Sequence, residues 1–159
     1  MSLTTKEIIE IAIGIEENGY QFYLKCGRTF KDTAIEDVFD FLAQEELRHK
    51  ALLQSFIHQG GTEIHDGKHL AYWKAIGDAR LFDYRDKNIN LIVAGITAPM
   101  DAIKHAFAAE KDSILFYSEM VELYLHDREA SSLLDKIIEE ERRHVVTLAD
   151  LAEKFRLAQ

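Results

Sequence analysis

The chain has 159 residues, a formal charge of −9 and one cysteine, which makes it most economically one domain with a sizeable core. The acidic balance argues against nucleic acid or an anionic membrane surface as partner. Cys26 alone excludes an internal disulfide and a cysteine-rich zinc or electron-transfer module.

The single proline, against a usual content of roughly 5%, points to long unbroken helices. Glu7 and Glu10 interrupt the apolar stretch Ile8 to Ile15, so no secretory signal is expected at the amino end. No apolar run approaches the roughly 20 residues that span a bilayer. A cytoplasmic location and no membrane partner are the resulting expectations.

Thr4 and Glu7 form a capping-box pattern that starts a helix over about 5–29. Its apolar stripe is Ile9, Ala12, Glu16, Gly19, Tyr23, Cys26 and Phe30, with an acid at the centre. Thr33 and Glu36 offer a second capping box, opening a helix over about 33–59 that stops at Gly60-Gly61. The stripe there is Ile35, Phe39, Leu42, Glu46, His49, Leu53 and Phe56, the spacing a helix buries in a bundle. A lone ionised carboxylate in such a seam costs several kcal/mol even after relaxation, so it needs a partner, a proton or a metal. The i, i+3 spacing of Glu46 and His49 lets both heads share one ion.

Between residues 60 and 97 the periodicity dissolves. His69 to Gly77 fits a short helix, and Leu91 to Ile96 is apolar but too short to classify. A connection of this length makes sense if it runs the length of a bundle to start a third helix at the far end. Thr97 and Pro99 are start signals for a helix over about 98–125, with the stripe Ile103, Ala106, Glu110, Ser113, Tyr117, Met120 and Tyr124. After His126-Asp127 a fourth helix, about 128–156, carries Leu134, Ile137, Glu141, His144, Leu148, Leu151 and Phe155. The expected fold is therefore all-α: a four-helix bundle with a long crossover between helices 2 and 3.

The two halves repeat. Ala12 to Tyr23 matches Ala106 to Tyr117 at an offset of 94, while Glu46 and His49 match Glu141 and His144 at an offset of 95. The match selects Glu16 over Glu17 as the inward acid, because Glu16 aligns with Glu110. Chance accounts poorly for two Glu-x-x-His pairs in matched frames.

With one Glu from each of two helices and Glu-x-x-His from each of the other two, the chain resembles the ferritin-like di-iron carboxylate superfamily. The contexts Glu-Glu-Asn-Gly-Tyr-Gln-Phe-Tyr and Glu-Lys-Asp-Ser-Ile-Leu-Phe-Tyr are similar to its rubrerythrin-like branch. The resemblance covers all four helices. It implies a single ferritin-like domain and the metal ligands Glu16, Glu46, His49, Glu110, Glu141 and His144. Two departures stand out: the four cysteines of a rubredoxin domain are lacking, and Ser113 stands where many rubrerythrins carry a further Glu. The first removes a built-in electron donor; the second bears on the peroxidase geometry.

Four carboxylates and two imidazoles suit Fe(II) or Mn(II). The expected cofactor is two Fe ions, with Mn or a mixed pair as alternatives. Glu46 and Glu141 are expected to bridge, with Glu16 and His49 terminal on one ion and Glu110 and His144 on the other. Ala12, Gly19, Ala106 and Ser113 would leave room beside the acids. Ligating imidazoles need outer acceptors, and Glu45 and Glu140 are the repeat-related candidates, each serving the His of the opposite helix pair; plain solvent exposure is the alternative. Tyr23 and Tyr117 could hydrogen-bond ligand carboxylates or serve as core aromatics. Cys26 reads as a small core residue or a redox-sensitive thiol, and His65 and His69 as solvated loop histidines or an i, i+4 metal pair. Tyr72, Trp73, Phe82 and Tyr84 would cover a bundle face or make a homodimer contact.

The resemblance implies an oxidoreductase that reduces hydrogen peroxide or activates O2, with electrons from an external donor such as a rubredoxin-like protein. A ferroxidase or iron-handling protein, and a non-catalytic metal-binding bundle, stay open beside it.

Overall fold

The computed structural model of the chain describes residues 3–56, 63–64, 71, 73 and 89–157. Among them run four long helices: α1 (Thr5–Thr29), α2 (Ala34–Phe56), α4 (Pro99–Leu123) and α5 (Arg128–Leu157), with a short α3 (Ile89–Gly95) ahead of α4. A two-residue strand β1 (Leu3–Thr4) pairs antiparallel with β2 (Glu63–Ile64). This ties the amino end to the start of the crossover.

The caps follow the sequence. Thr4 accepts from the Glu7 amide while the Glu7 side chain accepts from the Thr4 amide, a complete capping box. At α2 the box is shifted. Thr33 Oγ1 accepts from the Ile35 amide, but the Glu36 carboxylate takes the amide of Asp32 rather than that of Thr33. Asp32, at φ 60°, holds the turn in the left-handed region that Asp tolerates better than most residues. Pro99 stands in the first turn of α4, where its missing N–H costs nothing.

The stripes read from the sequence are the buried faces. In α2, Ile35, Phe39, Leu42, Glu46, His49 and Leu53 are all buried, and the other three long helices bury theirs to the same depth. The aromatic that ends each stripe, Phe30, Phe56, Tyr124 or Phe155, is only half-buried. α1 packs closely on α2 and α4 on α5, with α1 also against α4 and α2 against α5.

Two apolar blocks result. Phe22, Phe39, Leu42, Ile103 and Leu151 belong to one, and Ile8, Leu53, Met120 and Leu134 to the other. The first block collects the ends of α1 and α5 and the starts of α2 and α4. Both α1–α2 and α4–α5 are thus antiparallel hairpins, while α2 and α4 run the same way. The connection between them must then traverse the bundle, as its length implied.

The apolar run Leu91 to Ile96 is largely α3, packed on α1, with Ile89 and Ile96 buried. Trp73 is buried in helical backbone, its ring edge-on to Phe116 at 5.3 Å. The Gly60-Gly61 stop, residues 57–59 of the expected second helix, His58, His65, His69, Tyr72, Phe82 and Tyr84 lie outside the described residues.

Candidate metal centre

Between the two apolar blocks lies a polar layer. Glu16 on α1, Glu46 and His49 on α2, Glu110 on α4, and Glu141 and His144 on α5 meet there, none more than 5% exposed. Glu17, the neighbour passed over, turns outward to Lys50 at 2.7 Å and to Gln21 at 2.9 Å. The stripe register decides this: Glu16 continues the Ile9–Ala12 face and Glu17 does not.

The six side chains form two overlapping groups. Glu16, Glu46, His49 and Glu141 offer donor atoms all within 4.8 Å of one another, and so do Glu46, Glu110, Glu141 and His144. Glu46 and Glu141 belong to both. Such a set could hold two ions, with two shared carboxylates and two further donors for each.

The donor atoms fit a cation better than they fit each other. His49 Nδ1 stands 3.2 Å from Glu141 Oε1, yet neither atom has a hydrogen-bond partner. With a neutral ring these are two buried lone pairs side by side, an arrangement that requires either a proton on Nδ1 or a cation between them. The other nitrogen, His49 Nε2, donates to Glu140 Oε2 at 3.0 Å, which leaves Nδ1 as the lone-pair side of that ring. His144 Nδ1 likewise faces the cluster, 2.8 Å from Glu141 and 3.4 Å from Glu110. The two rings lie nearly parallel at 5.6 Å.

Without cations the layer must settle its charge with protons. Burial, then the charges of Glu16 and Glu141, push the Glu46 carboxyl well above the usual range. Burial and Glu141 raise Glu110 to about 8 against the pull of His144. Burial would raise Glu141 too, but His144 and His49 hold it below the ordinary carboxylate range. Burial favours neutral imidazoles, yet the surrounding carboxylates outweigh it and bring His49 to about 9 and His144 to about 10.

Each tyrosine crosses the bundle. The Tyr23 hydroxyl of α1 donates to Glu110 of α4, and the Tyr117 hydroxyl of α4 donates to Glu16 of α1. Burial and the charges of Glu110 and Glu46 raise the Tyr23 phenol well above its ordinary value, so it stays a donor. The two close the polar layer from opposite sides, Tyr23 from one apolar block and Tyr117 from the other. Gly19 gives the Glu46 carboxylate its room: a Cβ there would stand 3.0 Å from Oε2.

The expected symmetry of the outer acceptors breaks at Glu45. Glu140 reaches His49 across the bundle, but Glu45 pairs with Arg48 of its own helix at 2.6 Å instead of reaching His144. Arg48 also holds Glu140 at 2.9 Å. One guanidinium with two carboxylates in reach draws both to itself, a hydrogen-bonded arrangement stronger than a carboxylate–imidazole contact for Glu45. Arg48 was not singled out from the sequence. Its signal is the repeat, since Arg48 and Arg143 each precede a site histidine at the offset of 95. Cys26 is buried in the core, its thiol pushed by burial up to about 12.

The sequence profile of the rubrerythrin family matches residues 7–152. The chain belongs to the rubrerythrin family. No curated protein matches it. Among solved structures, this rubrerythrin-family chain is similar to a Thermotoga maritima protein assigned as ferritin-like and diiron-carboxylate (TM-score 0.74, 21% identity, 96% of this chain and 97% of that one). It is also similar to an open-pore ferritin of Archaeoglobus fulgidus, at TM-score 0.69 and 19% identity over 96% of this chain and 84% of that one. A Pyrococcus furiosus protein described only as hypothetical aligns at TM-score 0.67 and 25% identity over 95% and 89% of the two chains. The fold is a ferritin-like helical bundle, and its buried carboxylate–histidine cluster is able to bind metal. No helix among the described residues is long and apolar enough to cross a membrane.

Proposed function

We propose that this rubrerythrin-family chain is a di-iron oxidoreductase that reduces hydrogen peroxide with electrons from a separate donor protein. The observation that carries the reading is the pair of four-residue groups sharing Glu46 and Glu141. Glu16, Glu46, His49 and Glu141 would hold one ion, and Glu46, Glu110, Glu141 and His144 the other. A mixed set of carboxylate and imidazole donors favours Fe(II) or Mn(II) over calcium or a closed zinc site. Two Fe(II) ions would supply two electrons, each becoming Fe(III), which with two protons from solvent reduce H2O2 to two water molecules.

The chain's own residues do the rest. Tyr23 and Tyr117 orient the Glu110 and Glu16 carboxylates through their hydroxyl hydrogens. The apolar blocks above and below keep bulk water from the layer. Ala12, Gly19, Ala106 and Ser113 are small and buried on the same stripes as the acids, and at Gly19 the Glu46 carboxylate takes the room a Cβ would need. Electrons would come from a partner of the rubredoxin type, since Cys26 is buried with its thiol pushed up to about 12 and is no thiolate ligand.

Protein purified without air should contain about two iron atoms per chain by metal analysis. Stopped-flow mixing should then show faster oxidation by hydrogen peroxide than by O2, with the iron retained. Iron that leaves the site as ferric product would select iron handling instead. Tight binding of a single zinc without any oxidant reaction would select a non-catalytic bundle.

A further inference from the structure

The repeat makes the two halves of the centre equivalent in sequence, but the side chains around them are not equivalent. On the α2 side, His49 is fully buried and its Nε2–H donates to Glu140 Oε2 at 3.0 Å. Glu140 is itself held by Arg48 at 2.9 Å. This chain of contacts fixes the tautomer of the ring and aims Nδ1 at the cluster. It also makes the imidazole a stronger donor, because the carboxylate draws on its N–H.

On the α5 side the counterpart is missing. Among the described residues the polar contacts of His144 all face inward, from Nδ1 to Glu141 at 2.8 Å and to Glu110 at 3.4 Å. The outer neighbour of its ring is the edge of Phe41, with centroids 6.4 Å apart. Glu45, which the repeat places opposite His144, gives both carboxylate oxygens to Arg48, at 3.3 Å and 2.6 Å. Arg143, the repeat partner of Arg48, points to Glu140 of its own helix at 3.6 Å and is two-thirds exposed.

We infer that the two ion positions are unequal: Glu140, held by Arg48, makes the Glu16–His49 half the tight position that fills first, and the Glu110–His144 half, whose histidine meets no outer carboxylate among the described residues, is the exchangeable one. This rests on the two-ion reading above. Glu140 acts here as a positioning residue through His49. Loss of an outer partner of this kind lowers metal affinity by about 10–100-fold.

Stepwise binding by itself does not decide the matter, since two cations sharing bridging carboxylates repel each other even in a symmetric site. The deciding measurement is where the first ion goes. Crystals of metal-free protein given one equivalent of Mn(II) should show anomalous density beside Glu16 and His49, with the Glu110–His144 side filling only at higher Mn(II). In Glu140→Ala the density should divide between the halves or move to the His144 side. First-step affinity by calorimetry should fall about 10–100-fold. Glu45→Ala should leave the first step unchanged. A structural defect in Glu140→Ala would weaken both halves together and would not redistribute the first ion.

Equal density in both halves of the wild-type protein at one equivalent, with two ions at saturation, overturns the inequality and leaves the two-ion reading standing. Binding of one ion or none at saturation overturns both. The wild-type half-loaded crystal tests the inference even if Glu140→Ala does not fold.

Discussion

Gly19 lies so close to the Glu46 carboxylate that an added methyl would meet its Oε2 at 3.0 Å and its Cδ at 3.1 Å. Alanine is favoured over glycine in a helix interior by about 1 kcal/mol, so Gly19→Ala sets propensity against room for one bridging carboxylate. The expected outcome is a metal-free protein about as stable as the wild type, with a smaller rise in melting temperature on adding Mn(II). An undiminished rise would mean that Glu46 does not need the space. Cys26 gives a second test at this scale. With its thiol pushed to about 12, roughly one molecule in ten thousand carries the thiolate at pH 8. A disulfide reagent should label it only as the protein unfolds in denaturant, and rapid labelling of the folded protein would contradict a core position. The inward acids were legible residue by residue, because a stripe tolerates one register only and the repeat chose Glu16. The Arg48 pairings were not. Whether a half-exposed guanidinium takes Glu45, Glu140 or both depends on distances between helices, which no spacing along one helix encodes.

The elements were read to within a few residues because caps and stripes are local. Thr4 with Glu7 built the box its spacing announced, whereas at Thr33 the carboxylate of Glu36 moved one amide back, to Asp32. A left-handed residue in the four-residue turn between α1 and α2 shifts which N–H faces the cap, and that conformation has no signature in the pattern. Helix α3 escaped classification for a related reason: seven residues, Ile89–Gly95, complete under two turns, too few for a period to show. The cap supports a stability prediction. Thr4→Ala removes a side-chain acceptor from the first turn of α1 and should cost about 1 kcal/mol. For a chain of this size that is a fall in melting temperature of about 2–4 °C. Metal stoichiometry should be untouched, since the acids lie three turns further on. A cap mutant that lost metal would show that fraying at the amino end reaches the centre.

At the scale of the molecule the polar layer divides the core in two, and its charge must be met by protons or by cations. In the metal-free layer burial and the charges of Glu16 and Glu141 push Glu46 well above the usual carboxylate range, while Glu110 is raised to about 8 and His49 and His144 to about 9 and 10, values that favour the protonated forms at pH 7. Ligands bind deprotonated, so loading must expel those protons. A weakly buffered solution should therefore acidify as metal is added, and affinity should rise as pH is raised through 6 to 8. Affinity indifferent to pH would contradict that account. Chelation should lower the melting temperature by the binding energy lost from the folded state. The α2–α4 crossover geometry was foreseen from its length and the helix order. Within residues 60–88 the short helix expected over His69 to Gly77 is matched by helical backbone at residues 71 and 73, and most of the rest lies outside the described residues.

Anomalous diffraction from crystals saturated with Mn(II) bears most directly on the central claim, that four buried acids share one layer because two cations lie among them. The account predicts two peaks, one beside Glu16 and His49 and one beside Glu110 and His144, with Glu46 and Glu141 in contact with both. A layer free of density, its acids hydrogen-bonded only to one another, would contradict it.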